Sequence, residues 1–496
     1  MPLAALVAGA AIAETRESDG GDSTQVVEVP APSGEHGGAR SYPTIMARLG
    51  ARGEAGEVRR VSDPSVAPRW LVSTGDGRRH EYRETGAALI RAVVADAEAQ
   101  AVPGDRWRPD IAVELPDDLA ADAVADLVYG VMLGSYRYRV SAADPAPVPG
   151  VWLLLPGDDD GDRDGVADYR EAVRRAERLA TATGVARDLA NAPSNIKTPD
   201  WLARTARELL AEVALDVTVR DERWLAEYGF GGVLAVGGGS ASAPRLIETT
   251  YEPPQAATHL LLVGKGITFD TGGISLKPAD GMHLMRTDMA GGGAVIAAVR
   301  AIAELRLPVR VTALVPAAEN HLSGSAYRPG DVVRHYGGRT TEIGNTDAEG
   351  RIVLADALAY GIERFAPDAV VDVATLTGAM KVALGLRTGG VFATDSGLAQ
   401  RVCYAGELAG ESWWSMPLLD AHADAVTGEV ADVKQTPSGP GGITAALFLR
   451  EFTSGLPWAH LDIAGPARAE DSYREVVPGG TGFGARTLVE FAASYA

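Results

Sequence analysis

Cysteine is nearly absent from this sequence, and features that mark several other protein classes are missing too. Among 496 residues only Cys403 is a cysteine, which excludes an intrachain disulfide and cysteine-rich zinc modules. No apolar run reaches the roughly 18 residues that a membrane-spanning helix needs. Lys and Arg number 46 against 66 Asp and Glu, and the formal net charge of −20 disfavours nonspecific binding to nucleic acid or anionic lipid. We therefore expect a cytoplasmic protein without membrane or nucleic-acid partners.

The first residues have one property of a secretory signal and lack another. Residues 1–13 are apolar and end in Ala-Ile-Ala, which is similar to a cleavage site. No Lys or Arg precedes the apolar run, whereas a secretory signal has a positive first region. We interpret residues 1–13 as a first β-strand, with export as the alternative.

Three common catalytic motifs are also missing. The sequence contains no H-E-x-x-H and no G-x-S-x-G, and Gly264-Lys265 lacks the remainder of a phosphate-binding loop. The eight histidines are scattered, without a pair at metal-ligand spacing. Histidine-ligated zinc peptidases, serine hydrolases of the α/β type and P-loop enzymes are therefore disfavoured.

The length and the pattern of apolar residues predict two α/β domains. A chain of 496 residues exceeds what one ordinary core holds together. We expect a small N-terminal α/β domain over residues 1–165, with a loop or disordered insertion at 14–40 and an acidic linker at 156–165. Residues 166–496 alternate strands and helices, which predicts a three-layer α/β domain around a largely parallel sheet.

The apolar spacing also predicts individual elements. The predicted strands are residues 70–73, 151–155, 260–263, 309–315 and 369–374. The predicted helices are residues 85–100, 116–134, 169–191, 292–305, 352–365 and 445–452.

The acidic linker contains a match to a calcium-binding loop. Asp160, Asp162, Asp164, Gly165 and Glu171 fit the pattern D-x-D-x-D-G-x5-E. A helix should enter such a loop, but residues 151–155 are predicted to form a strand. We therefore interpret the linker as a solvated acidic segment, with calcium binding as the alternative.

Charged residues occur where an α/β fold does not ordinarily place them. Lys265 directly follows an apolar strand, at the end where α/β sheets bind ligands, and Asp270, Lys277 and Asp288 follow it. A second cluster, at residues 345–351, lies between a strand-like run and a helix. Two divalent cations would neutralise these carboxylates, with Mn²⁺ and Zn²⁺ the leading candidates and Mg²⁺ also compatible. Spacing alone leaves a salt-bridged loop as the alternative.

Several ordered motifs resemble the leucine (cytosol) aminopeptidase family. Residues 263–273 (VGKGITFDTGG) resemble its first signature, and residues 345–351 (NTDAEGR) look like its most specific motif. Further similar blocks are LMRTDM at 284–289, VPAAEN at 315–320, RPGD at 328–331, TLTGA at 375–379 and WAHLDIAG at 458–465. The resemblance covers residues 169–496 and departs little: a Pro- and Gly-rich stretch stands at 437–442, and Gly480 replaces a frequent alanine.

The resemblance implies a role for individual residues. It implies that Asp270 and Glu349 bridge two metal ions, that Asp347 binds one of them, and that Lys265 and Asp288 bind the other. A lysine can join such a site only as the neutral amine, so the metals would have to lower its pKa.

Further residues and partners follow from the same resemblance. It implies that Lys277 and Arg351 are catalytic, with Arg351 holding a bicarbonate that transfers protons, since a guanidinium stays protonated. It implies that Met285, Thr375 and Ala464 line an apolar pocket that prefers leucine, although ordinary core packing explains these three equally well. It also implies peptide substrates and a homohexamer.

Two other functions remain open. One is a regulatory or DNA-binding member of the family, against which the negative charge argues. The other is a scaffold without metal, which is disfavoured because all seven expected residues are present. Among nearby residues we expect His283 and His321 to be polar but not ligands, Glu319 and Asp331 to hold loops, and Asp372 to be either a support of the site or a buried, hydrogen-bonded carboxylate.

Overall fold

The protein is described by a computed structural model that covers residues 12–13, 25–28, 52–61, 69–100, 111–115, 119–140, 151–154, 163–254 and 256–496. The chain divides into two compact units. The first comprises Met1–Gly184 with Glu470–Val477, and the second Val185–Ala469 with Pro478–Ala496.

The first unit is an α/β structure with a mixed sheet. Six strands of its described part lie in the order β1-β6-β5-β2-β4-β3, and all neighbours are parallel except β3 and β4. The strands are β1 (Ile12–Ala13), β2 (Gln25–Glu28), β3 (Val58–Val61), β4 (Arg69–Val72), β5 (Ile111–Glu114) and β6 (Val151–Leu154). The helices are α1 (Arg79–Gln100), α2 (Ala121–Gly134) and α3 (Arg163–Asn191), the last of which continues into the second unit.

The prediction of a loop over residues 14–40 is wrong for β2. Gln25–Glu28 pairs with β5 and β4 in the middle of this sheet. The adjacent valines Val26 and Val27 have the β-branched side chains that suit a strand. The strand is short and its neighbours in sequence are polar, so the apolar pattern did not predict it. The remainder of 14–40 lies outside the described residues, as do residues 1–11 of the predicted first strand.

The calcium-loop match falls largely outside the described residues as well. Residues 160–162 are not described, and α3 already begins at Arg163. Asp164, Gly165 and Glu171 therefore lie in a regular helix, whereas a calcium loop needs a sharp turn at its glycine. The helical backbone argues against calcium binding here.

The second unit is built on a larger sheet, whose described strands lie in the order β16-β15-β18-β14-β9-β11-β8-β7, with β10 paired beside β11. The four central strands, β18, β14, β9 and β11, are parallel, and antiparallel pairing is confined to the two sides. The strands of this sheet are β7 (Val217–Arg220), β8 (Arg245–Tyr251), β9 (His259–Gly264), β10 (Gly266–Asp270), β11 (Arg310–Asn320), β14 (Ala369–Ala374), β15 (Thr388–Ala393), β16 (Ser412–Ser415) and β18 (Trp458–Asp462).

Short strands and nine helices complete the described part of this unit. The short strands are β12 (Val332–Arg334), β13 (Thr340–Glu342), β17 (Val433–Lys434), β19 (Arg468–Ala469) and β20 (Gly479–Gly480). The α-helices are α4 (Pro199–Ala211), α5 (Glu222–Glu227), α6 (Gly231–Gly237), α7 (Ala290–Glu304), α8 (Glu349–Phe365), α9 (Gly378–Leu384), α10 (Ser396–Ala409), α11 (Gly441–Arg450) and α12 (Ala485–Ala493). A 3₁₀ helix at Met282–Thr287 precedes α7.

Helices cover both faces of the large sheet, which makes three layers. Leu261 and Val263 of β9 share a core with α8 and α11, and α8 also contacts α6. Gly264, on the opposite face of the same strand, lies against the first turn of α7. Helix α7 in turn packs against α12 and α4. The predicted three-layer α/β architecture with a largely parallel central sheet is confirmed.

In the described part of the chain, no helix is both long enough and apolar enough to cross a membrane.

Candidate metal centre

The charged residues singled out in the sequence converge at the carboxyl ends of the central strands. Lys265 connects β9 to β10, and Asp270 is the last residue of β10. Asp288 follows the 3₁₀ helix, whereas Asp347 and Glu349 lie at the start of α8. Because parallel strands end at the same edge, residues far apart in sequence meet there.

One half of the site is formed around Lys265, whose side chain is almost completely buried. Its Nζ lies 2.7 Å from Glu349 Oε1 and 2.9 Å from both carboxylate oxygens of Asp288. It also donates to the Thr375 carbonyl at 3.1 Å. Burial by itself lowers the pKa of Lys265, but the carboxylates of Asp288, Glu349 and Asp270 together raise that pKa above its ordinary value. Lys265 is therefore an ammonium ion here.

The other half of the site is formed around Lys277. Its Nζ lies 2.7 Å from Asp270 Oδ2 and donates to Asp347 Oδ1 as well. Burial lowers the pKa of Lys277, but the charges of Asp270 and Glu349 raise it by more than burial lowers it. The pKa of Lys277 is therefore above its ordinary value. A second ammonium ion thus lies between the carboxylates of two different loops.

Three of the carboxylates are close enough to share a cation. One oxygen each from Asp270, Asp347 and Glu349 lie within 4.8 Å of one another. Burial, and next the Asp270 carboxylate, raise the pKa of Glu349 to about 8. Glu349 Oε2 is buried and has no hydrogen-bond partner among the described residues. Such a cluster of carboxylates is unfavourable without positive charge nearby. The unpaired Oε2 of Glu349 could bind a metal ion. The residues present therefore fit divalent cations.

Asn320 and Thr346 hold the two ligand-bearing loops together. Asn320 Nδ2 donates to Asp270 Oδ1 at 2.7 Å and to the Thr346 carbonyl at 3.0 Å. The Thr346 hydroxyl donates to the Gly272 carbonyl at 2.6 Å. These bonds fix Asp270 relative to Asp347. Sequence reasoning missed both residues as parts of the site, although each falls inside a quoted motif.

Two glycines allow the backbone to approach the charged groups. Gly272 has a φ of +86°, and a Cβ there would lie 2.8 Å from Asp347 Oδ1. A Cβ on Gly350 would lie 2.6 Å from Cε of Lys265. Any larger residue at either position would displace a charged side chain of the site.

Arg351 lies in the first turn of α8, two residues after Glu349. Its Nη1 donates to the Gln435 carbonyl at 2.7 Å. Burial lowers the pKa of Arg351 to about 10, even though Glu349 and Asp462 act in the opposite direction. The guanidinium remains charged at neutral pH and is available to hold an anion. No sequence signal indicated Gln435.

The three predicted pocket residues are partly exposed at the same edge of the sheet. Met285 lies in the 3₁₀ helix, Thr375 follows β14 and Ala464 follows β18. Thr375 also contacts the charged cluster, because its hydroxyl donates to Asp288 Oδ1 at 2.7 Å. Its position is therefore set by the charged residues, in addition to any contact with a substrate.

Other polar residues near the site are placed as expected. His283 and His321 are exposed and outside the carboxylate cluster. Glu319 accepts from Ser240, and Asp331 closes a turn with Arg328. Asp372 is the second of the two alternatives left open, a buried carboxylate that accepts from Trp458 Nε1 at 2.7 Å and pairs with His460 Nδ1 at 2.6 Å.

An α/β domain with buried carboxylates and lysines at the carboxyl edge of its sheet defines a metal-dependent enzyme of the α/β class. Comparison with known proteins identifies which one. Residues 184–489 match the family described as "Cytosol aminopeptidase family, catalytic domain". The chain belongs to the cytosol aminopeptidase family and is a metallo-exopeptidase, a hydrolase.

Individual relatives agree with this assignment. A "Probable cytosol aminopeptidase" of Roseiflexus castenholzii is 45% identical over 410 residues, which are 80% of this chain and 82% of that protein. A protein of the same description from Streptomyces coelicolor is 43% identical over 470 residues, or 90% and 89% of the two chains. The solved structure described as "Bottromycin maturation enzyme BotP in complex with Mn" is similar at a TM-score of 0.83 and 39% identity, covering 95% of this chain and 99% of that one.

Proposed function

We propose that this aminopeptidase releases N-terminal amino acids from peptides, with a preference for leucine, by means of two divalent metal ions. The observation that carries the proposal is the cluster of buried Asp270 and Glu349 with half-buried Asp347, whose carboxylates contact two ammonium groups. The proposed catalytic domain comprises residues 166–496 and the proposed N-terminal domain residues 1–165, whereas the compact units divide at Gly184 and assign Glu470–Val477 to the first unit.

The contacts suggest how the ligands divide between the two ions. Lys265 and Asp288 would bind one ion, because Lys265 contacts both Asp288 and Glu349. Asp347 would bind the other ion, because it shares Lys277 with Asp270. Asp270 and Glu349, whose charges act on both Lys265 and Lys277, would serve both ions. Mn²⁺ and Zn²⁺ suit this carboxylate-rich set, and the manganese in the BotP complex favours Mn²⁺.

Lys265 would have to lose its proton to become a ligand. In the metal-free site its ammonium ion supplies part of the positive charge that the carboxylates require. A divalent cation in its place would repel that proton and lower the pKa of the amine. Metal binding at this half should therefore release a proton.

The bound ions would supply an activated water that attacks the scissile carbonyl. Lys277, released from its contacts with Asp270 and Asp347, would turn its ammonium group toward the developing oxyanion and stabilise it. Arg351 would hold a bicarbonate, because its guanidinium is charged and cannot act as a base. A bicarbonate held there would supply a group that can both accept and donate a proton.

The remaining properties concern recognition and assembly. Met285, Thr375 and Ala464 would line the pocket for the first side chain, and their partial exposure at the site supports this role. We also propose that the protein is a homohexamer and lies in the cytoplasm. The net charge of −20 gives no support to a DNA-binding function.

An assay with leucine-p-nitroanilide tests the proposed function. We expect turnover with Mn²⁺, loss of turnover with a chelator, and recovery when Mn²⁺ or Zn²⁺ is returned. Glu349→Ala removes a ligand shared by both ions and should abolish turnover while leaving the fold intact by circular dichroism. Unchanged turnover in this variant would reject the assignment of the metal site.

A further inference from the structure

Lys197 is a fully buried lysine that the proposed mechanism does not use. It lies in the connection between α3 and α4 and has no exposed surface. Its Nζ donates to three backbone carbonyls: Leu189 at 2.9 Å, Ala190 at 2.8 Å and Arg286 at 2.5 Å. A protonated amine has three N–H bonds, one for each of these oxygens. A fully buried lysine whose amine has only backbone carbonyls as partners is uncommon and calls for a physical explanation.

Two of the three carbonyls belong to the last turn of α3. The N–H that would normally bond the Leu189 carbonyl belongs to the fourth residue beyond it, which is Pro193 and has none. The Ala190 carbonyl is likewise near the end of the helix, where carbonyls lack helical donors. Lys197 donates to both of these carbonyls at the negative end of the helix dipole.

The third carbonyl connects this helix end to the proposed metal centre. Arg286 is in the 3₁₀ helix Met282–Thr287, two residues before Asp288. Asp288 in turn contacts Lys265 and accepts from the Thr375 hydroxyl. Lys197 thus ties the backbone that carries Asp288 to α3, a long helix whose last turns are buried.

We propose that Lys197 is a positioning residue for the metal ion that Asp288 and Lys265 would bind. By holding the Arg286 carbonyl against the end of α3, it sets where the Asp288 carboxylate lies. Asp347 is carried by a different segment, which Asn320 and Thr346 fix independently. Loss of the Lys197 bonds should therefore weaken one of the two metal equivalents and leave the other unchanged. This inference rests on the proposed two-metal function.

The test is a titration of metal-free, full-length protein with Mn²⁺, with free Mn²⁺ measured by electron paramagnetic resonance. Lys197→Met keeps the length and apolar volume of the side chain but removes every donor. We expect the dissociation constant of one Mn²⁺ equivalent to rise by about 10-fold or more, as is typical when a residue that orients a ligand is lost. Turnover should fall at limiting Mn²⁺ and recover at saturating Mn²⁺.

Thr198→Ala is the matched control. It removes the side chain that caps α4 by accepting from the Trp201 N–H at 3.2 Å, one residue from Lys197, without touching the Arg286 carbonyl. It should lower the Tm but leave both Mn²⁺ affinities unchanged. If Lys197 served stability alone, both variants would show a lower Tm and wild-type Mn²⁺ binding, and that result would overturn the inference.

Lys197→Gln serves if the methionine variant does not fold. Its amide can donate two hydrogen bonds to the end of α3, but its nitrogen is one bond closer to the backbone, so the bond to Arg286 should be lost. We expect a folded protein with one weakened Mn²⁺ equivalent. If this variant bound both Mn²⁺ equivalents as tightly as the wild type, the inference about Lys197 would be overturned and the proposed function would stand. If the wild-type protein bound no Mn²⁺, both the proposed function and the inference would be overturned.

Discussion

At the scale of single residues, the site depends on the positive charges that balance its carboxylates. Lys265 and Lys277 each lie against carboxylates of two different segments, and those carboxylates raise the pKa of both amines despite burial. In the absence of metal the two ammonium ions therefore hold the site together. In the proposed mechanism their tasks would diverge when metal binds: Lys265 would become a ligand, and Lys277 would be released to face the substrate.

The task of Lys277 is tested by removing its charge. Lys277→Met should lower kcat for leucine-p-nitroanilide by about 10²–10³-fold, the usual effect of losing one group that stabilises an oxyanion. Mn²⁺ affinity should change little, because Lys277 is not among the proposed ligands. Lys277→Arg keeps the charge in a different geometry and should retain more activity. Equal activity in the methionine variant and the wild type would contradict the proposed role.

The pKa of Glu349 predicts an unusual dependence of stability on pH. Its pKa is raised from 4.5 in the unfolded chain to about 8 by burial, with Asp270 contributing in the same direction. The folded metal-free protein therefore binds more protons than the unfolded chain between these values, and this group makes stability fall as pH rises from 4.5 to 8.

Metal ions should reverse this effect, because they favour the ionised carboxylate. The increase in Tm caused by saturating Mn²⁺ should grow steadily between pH 5 and pH 8, which differential scanning calorimetry measures. The glutamine in Glu349→Gln does not titrate, so the stability of the metal-free variant should fall less as pH rises from 5 to 8. An increase in Tm that shrinks over this range would contradict the account.

At the scale of elements, the first turn of α8 connects the fold to the site. Glu349 and Arg351 project from this turn, and Gly350 between them lets the helix approach Lys265. The turn can approach Lys265 only because residue 350 lacks a side chain.

Gly350→Ala tests this arrangement. The added Cβ would displace Lys265, and the overpacking should lower stability by about 1–3 kcal/mol. Mn²⁺ affinity should fall as well, because Lys265 would no longer reach its site. Gly184→Ala is the matched control, since a Cβ there meets nothing within 4 Å inside α3 and should raise stability by about 0.5–1 kcal/mol. Equal Mn²⁺ affinity in the two variants would rule out a role for this close approach.

The sequence predicted the buried elements well and the others poorly. The run at 369–374 has the observed bounds of β14, because a strand buried on both faces is continuously apolar. Helix α11 was placed four residues late, since Gly441 and Gly442 at its start disfavour a helix. The side strand β8 was missed because its polar residues interrupt any apolar run.

The site residues, too, were predicted only in part. Charged residues at strand ends stand out in a sequence and were found, whereas their partners do not. Gln435 contributes a backbone carbonyl, and Lys197 is recognised only by the three carbonyls around it. Such contacts depend on how distant segments pack, which the order of residues along a chain does not reveal.

At the scale of the whole molecule, the proposed assembly gives a direct prediction. A homohexamer of 51.7 kDa chains should have a mass of about 310 kDa. Light scattering after size-exclusion chromatography measures this mass without reference to shape. A monomeric mass in fully active protein would contradict the proposed assembly while leaving the metal site untouched.

The central claim is that two divalent ions lie between Asp270, Glu349 and the flanking ligands. Anomalous diffraction from crystals of the Mn²⁺-loaded protein tests it most directly. The account predicts two manganese peaks per chain, about 3.5–4 Å apart, one beside Asp347 and the other between Lys265 and Asp288. Active protein with a single peak or none, or with Lys265 Nζ still paired with Glu349, would contradict it.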